Sequence, residues 1–230
     1  MERPTRSLAE QLDLLSGKIL LLGGLVEQAI GRSVDALVER DSNLAREVVA
    51  EDAEVDRVEL EIDRLSMEIL ALKQPLARDL RFITTAMKIT TDLERIGDLA
   101  VNVSERALEL NEEPQLKPFV DIPLMARRAE EMVHGALDAF VRRDAATARA
   151  VIALDDDLDR RMEQIFRELL SFMVEDPRAI TRALRLTFVA KYFERIGDQA
   201  TNVCEQVVYM CEGRVIKHPW LSSADGTSDG

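Results

Sequence analysis

Apolar residues recur at helical spacing along nearly the whole chain. Between residues 8 and 40, Leu8, Leu12, Leu15, Ile19, Leu22, Val26 and Ala29 step by four and three, which predicts a helix with a narrow packing seam. A second run opens at Asp41-Ser42, two good helix-capping residues. It carries Leu44, Val48, Val55, Val58, Ile62, Leu65, Ile69 and Leu72 on the same step, with Glu51 its one interruption. Gln74-Pro75 ends that helix and begins the next, whose seam is Ile89, Leu93, Ile96, Ala100, Val103, Ala107 and Leu110 and which extends to about Asn111.

Pro114, Pro118 and Pro123 then break the pattern, and the Pro-spaced stretch 113–122 reads as a linker. Three further helices are predicted at roughly 123–142, 144–174 and 178–213, the last introduced by the cap-and-proline pair Asp176-Pro177 and closed by Gly213. Its seam, Val189, Phe193, Ile196, Ala200, Val203, Val207 and Met210, repeats that of the third helix. Short connections make sequential helices antiparallel. The expected fold is therefore all-α: two tandem, duplicated three-helix bundles made of six long antiparallel helices. The first spans 1–112 and the second 123–218, with 219–230 as a disordered tail.

Composition agrees. Among 230 residues, 47% are hydrophobic, enough for real cores, while only 4% are aromatic, and with ten Gly and seven Pro no sheet is expected. A net charge of -13 and the lack of a long Lys/Arg run argue against nucleic acid as a partner. The longest apolar run, 19–26, is far short of the roughly 20 residues a membrane span needs, and 1–6 does not lead into a signal-peptide pattern, so a cytoplasmic protein is expected. Cys204 and Cys211 would lie two turns apart on one helix, about 10 Å along its axis and too far to bridge.

The duplication is sharpest at Glu94-Arg95-Ile96-Gly97-Asp98, which returns as Glu194-Arg195-Ile196-Gly197-Asp198. Over 94–105 and 194–205, nine of twelve residues are identical, where unrelated sequences would share roughly one. With Leu93 and Ile96 on the seam, Glu94, Asp98, Asn102 and Glu105 are predicted on the opposite, accessible face, as are Glu194, Asp198, Asn202 and Glu205. Residues four apart lie about 6 Å along the axis and about 40° around it, so each Glu-xxx-Asp pair can converge on one positive object. Like charges at this spacing destabilise a helix by a few tenths of a kcal/mol, and here the pairing occurs twice.

The preceding helix in each half is also striped with acids. Asp52, Asp56, Glu59 and Asp63 lie one place beyond seam residues, and Asp155, Asp159, Asp156, Asp157 and Glu163 are their counterparts. Each half can thus assemble carboxylates from two helices, a donor set suited to hard cations such as ferric, manganous, calcium or magnesium ions. Arg95 and Arg195 beside the acids offer a competing reading, a salt-bridged surface. Neither His134 nor His218 lies near a nucleophile, and no Glu-x-x-His pair of the di-iron bundle type occurs, so catalysis by those routes is not expected. Gly97 and Gly197 sit in mid-helix, where a missing side chain admits a close helix or an ion.

With Gln74-Pro75-Leu76-Ala77-Arg78-Asp79-Leu80-Arg81 ahead of the first motif and Met173-Val174-Glu175-Asp176-Pro177-Arg178 ahead of the second, the chain resembles the PhoU family over about 8–218. That resemblance implies a cytoplasmic, often dimeric negative regulator. It would link a phosphate-specific ABC transporter to a phosphate-sensing histidine kinase and would not be an enzyme. It also implies multinuclear iron or other metal sites at the duplicated motif, with zinc, manganese, magnesium and calcium open beside iron. Matched by position, the metal residues would be Glu94, Asp98 and Asn102 with Asp52 and Asp56, and Glu194, Asp198 and Asn202 with Asp155 and Asp159. The rivals are a metal-dependent phosphoester hydrolase and a plain helical scaffold without bound metal.

Overall fold

The computed structural model describes residues 7–216; the tail expected over 219–230 and the first six residues lie outside them. Helix α1 spans Leu8–Val38 and opens with a full capping box, Ser7 accepting from the Glu10 N–H while the Glu10 carboxylate accepts from the Ser7 N–H. Helix α2, Ser42–Lys73, starts where Asp41 accepts from the Asn43 and Leu44 N–H groups and stops at Gln74 in the left-handed conformation. Helix α3 is Ala77–Asn111. The second half contains α4 (Asp121–Arg142), α5 (Ala145–Ile152), α6 (Asp155–Glu175), a 3-10 turn at Pro177–Ala179 and α7 (Ile180–Glu212). No strand occurs among the described residues.

The predicted fifth helix, 144–174, is in fact two. Its path turns at Ala153 and Leu154, and α6 begins on Asp155-Asp156-Asp157. Three consecutive carboxylates are unfavourable in mid-helix but favourable in a first turn, where the unpaired N–H groups and the helix dipole attract anions. The break thus places Asp155 at a helix start.

Most seam residues read from sequence are the core, with Leu15, Ile19, Leu22, Val26, Ile62, Ile89, Ile96, Leu158, Val189 and Ile196 all fully buried. The seam of α2 stops short of its end, where Leu72 is 68% exposed, and Leu8, Leu12, Ala29, Leu44 and Leu65 are only partly buried. Helices α1, α2 and α3 pack on one another, and so do α4, α6 and α7. Across the repeats α3 packs on α7 and α1 on α4, so one apolar cluster runs through both halves. Polar contacts pin the connecting segment: Arg40 donates to the carbonyls of Asn111 and Glu113 at 2.7 Å each, Arg182 to the Pro114 carbonyl at 2.9 Å, and Arg185 pairs with Glu109 at 2.8 Å and with Glu113.

The apolar content of helix α1 extends beyond its longest apolar run. Measured as a window rather than a run, it is long and apolar enough to cross a membrane by length and composition, with a mean hydropathy of 1.4, because Lys18 and Glu27 end the 19–26 run while apolar residues continue beyond them. Its inward side forms the seam of the helical bundle, with Leu15, Ile19, Leu22, Val26 and Ile30 buried.

Candidate metal centre

Gly97 and Gly197 set the local geometry. A Cβ at 97 would lie 3.2 Å from Val55 Cγ1 and 3.5 Å from Asp52 Oδ1; one at 197 would run into Leu158 and lie 3.3 Å from Asp155 Oδ1. Each glycine therefore admits the neighbouring helix, and in each half the residue three places before the intruding apolar side chain is an aspartate reaching over the motif helix. Of the two roles open to these glycines, the structure assigns the close helix contact.

Proximity shows in the titration of the acids. Burial first, then Asp56 and Asp98, push the Asp52 carboxyl above its ordinary value. Glu94 is raised by burial and by Asp98, Glu59 and Asp56, and Glu59 by burial, Asp63 and Asp56. In the second half Asp155 is pushed up to about 6 by burial and then by Asp198, Asp159, Glu194 and Asp156. Asp198 rises through burial and the Glu194 charge, against a lowering pull from Lys191. Carboxylates from α2 and α3, and from α6 and α7, thus feel one another across the helix pair.

The salt-bridged reading is not realised through the motif arginines. Arg95 and Arg195 are exposed and form no ion pair with the acids among the described residues, acting on Glu94 and Asp198 only through space; the direct ion pair is Lys191, whose Nζ donates to Glu194 at 2.6 Å. The sequence reading missed Lys191, although its spacing three before Glu194 is a helical neighbour position. The other Glu194 oxygen and Asp155 Oδ1 are shielded from solvent without a hydrogen-bond partner. Charged oxygens in that state need a cation or a proton.

Several acids are placed differently from expectation. Glu94, Glu194, Asn102 and Asn202 are half-buried rather than accessible, because residues one position off a seam lie on the flank that meets the adjacent helix. Asp98, Asp56, Asp159 and Glu105 are exposed. Asp157 leaves the cluster, accepting from Arg161 at 3.0 Å and Arg128 at 3.3 Å, and Glu163 pairs with Arg167. Among the described residues no group of three or more His, Cys, Asp or Glu side chains closes into a ready cage. The donors that remain are Asp52, Asp56, Glu94 and Asp98, and Asp155, Asp159, Glu194 and Asp198, and a hard cation that keeps water in most of its positions needs only one or two protein carboxylates.

The PhoU domain matches residues 19–107 and 122–207, one copy on each half. This chain belongs to the PhoU domain family. It is 42% identical over 211 residues, 92% of its length and 96% of the relative's, to the phosphate-specific transport system accessory protein PhoU homolog of Aquifex aeolicus. To the PhoU homolog of Pseudomonas aeruginosa it is 40% identical, covering 92% and 88% of the two chains. Among solved structures, PhoU from Pseudomonas aeruginosa superposes with a TM-score of 0.87 at 40% identity over 90% of this chain and 100% of that one. The phosphate transport system regulatory protein PhoU from Streptococcus pneumoniae gives 0.85 at 25% identity, covering 91% and 99%. The duplicated helical fold and the PhoU membership thus agree on every element that builds the two acidic helix pairs.

Proposed function

We propose that the chain is a non-catalytic, cytoplasmic negative regulator of phosphate uptake and of phosphate-responsive signalling, acting as a homodimer that docks on a phosphate-specific ABC transporter and a phosphate-sensing histidine kinase. The relatives it matches over nine-tenths of its length are named as accessory proteins of phosphate transport, not as enzymes. One observation carries the site: a doubled pair of facing acidic helices, in the second of which two shielded carboxylate oxygens lack a partner. Cations held there would turn repelling carboxylates into a surface able to bridge to phosphate-bearing or acidic partner groups, and occupancy would set affinity. The ion supplies only charge; Asp52, Glu94 and Asp98, and Asp155, Glu194 and Asp198, would hold it.

The test is metal analysis of protein purified without nickel resin, beside a variant with Glu94, Asp98, Glu194 and Asp198 all replaced by Ala. Bound metal in the parent and none in the variant, at equal helicity, is the expected result; a metal-free parent or a metal-retaining variant removes the ion from the proposal. Pull-down from phosphate-replete cells should recover the transporter's ATPase subunit and the kinase, and recovery of neither removes the docking role.

A further inference from the structure

The Gln74–Arg81 segment, which carries part of the family resemblance, has no place in the acidic helix pairs. It ends in a different feature. Where the first two turns of α3 meet the end of α4 and the last turn of α7, a cavity of about 210 Å³ is lined by Arg78, Arg81, Phe82, Arg143, Met210 and Cys211. Three arginines, drawn from both repeats, therefore line one space. In a chain of net charge -13 with 43 acidic residues, none of the three makes an ion pair among the described residues. Arg81 Nε is shielded from solvent and has no hydrogen-bond partner.

Two acids next in sequence to lining residues, Glu212 and Asp144, are already engaged, and Asp79 of the same first turn as Arg78 makes no ion pair with the three arginines among the described residues. Glu212 gives both oxygens to Arg149 at 2.7 Å each, and Asp144 caps α5, accepting from the N–H groups of Ala146 and Thr147 and from the Thr147 hydroxyl. Arg143 occupies the left-handed conformation, φ 53°, at the end of α4, a position that favours glycine. This sets its guanidinium 5.1 Å above the ring of Phe82, which itself stacks on Phe140. At Gly213, φ 71°, an added Cβ would collide with the Arg81 guanidinium.

We propose that this inter-repeat cavity binds a phosphoryl-type oxyanion, either free or as the head of a small phosphorylated molecule. Guanidinium forks match the oxygen edges of such a group, and three of them, two from α3 and one from the corner after α4, suit a tetrahedral anion rather than a planar carboxylate. The volume is several times the roughly 30 Å³ share of one water, enough for a phosphate. Phe82 supplies the apolar floor, and Arg81 Nε gains the acceptor it lacks. Since Arg78 and Arg81 belong to α3 and Arg143 to the corner after α4, occupancy would fasten one repeat to the other. The proposal does not depend on the acidic helix pairs or on any metal.

Calorimetric titration of the full chain with inorganic phosphate, and separately with glycerol phosphate, at constant ionic strength tests it. Saturable binding of at least one probe is expected, with a dissociation constant at or below about 1 mM. The double variant Arg78→Ala, Arg143→Gly keeps the left-handed corner and removes two exposed side chains, so it should keep its anion-free melting temperature and bind at least about tenfold more weakly. Tighter binding of orthophosphate supports a free anion as the ligand, and tighter binding of the ester supports a phosphorylated metabolite. No saturable binding of either probe by the parent, or equal affinity in the folded double variant, overturns the assignment.

Discussion

Asp155 holds its proton up to about pH 6, against an ordinary value of 3.8, because burial and four neighbouring acids disfavour the anion. The folded state therefore binds this proton more tightly than the unfolded chain does. Its contribution to stability is full below the ordinary value and is lost as pH rises through about 6. Asp155→Asn should accordingly leave the melting temperature unchanged near pH 4 and raise it at pH 8. Because the side chain is only half-buried, solvent screening holds the gain to about 1 kcal/mol, roughly 2–4 °C in a chain of this size. Thermal melts of both proteins at the two pH values decide the matter; an equal difference at both would show that the repulsion is not what sets this residue's energetics. Cys204 shows burial acting almost alone on a thiol, pushed up to about 12, so it stays a neutral packing group.

Along the helices, the same residue type has opposite value according to what the neighbouring element brings. Gly17 and Gly24 lie within α1 with nothing within 4 Å of an added Cβ, whereas at Gly197 the Cβ would run into Leu158 of α6. Alanine at 17 or 24 should stabilise by about 0.5–1 kcal/mol each through helix propensity. At 197 overpacking of about 1–3 kcal/mol outweighs that gain, for a net loss near 1 kcal/mol. Urea denaturation of the single variants checks both signs, and a stabilised Gly197→Ala would mean that α6 can shift away from α7 at little cost. The α5–α6 break follows the same logic: periodicity alone carries a helix through 144–174, but the Asp155-Asp156-Asp157 run is comfortable only in a first turn.

At the level of the molecule, the repeats are not two independent domains side by side. The contacts of α3 with α7 and of α1 with α4 join both seams into one apolar cluster, and the Arg40, Arg182 and Arg185 contacts hold the connection between them. Unfolding should therefore be a single cooperative transition, with calorimetric and van't Hoff enthalpies equal. Two resolved transitions would contradict a shared core. The tandem arrangement also explains how the arginines of the inter-repeat cavity come together: Arg81 and Arg143 are far apart in sequence and meet only because α3 crosses the end of α4 and the last turn of α7.

What the sequence determined by itself is whatever repeats within a few residues. Seam positions at steps of three and four, the caps at Asp41 and Asp176 and the duplicated Glu-Arg-Ile-Gly-Asp are local patterns, and they located the helices, apart from the break at Ala153 and Leu154, and pointed to the family. Tertiary structure decided which of many acids share one field and which are drawn off, as Asp157 is to Arg128 and Arg161. It also kept Arg95 and Arg195 out of direct ion pairs with the acids beside them while bringing three other arginines to one cavity. The reason is geometric: a helix pattern gives the direction of a side chain around its own axis, but its neighbours depend on the angle and height at which the next helix docks, and those come from the packing of the whole core.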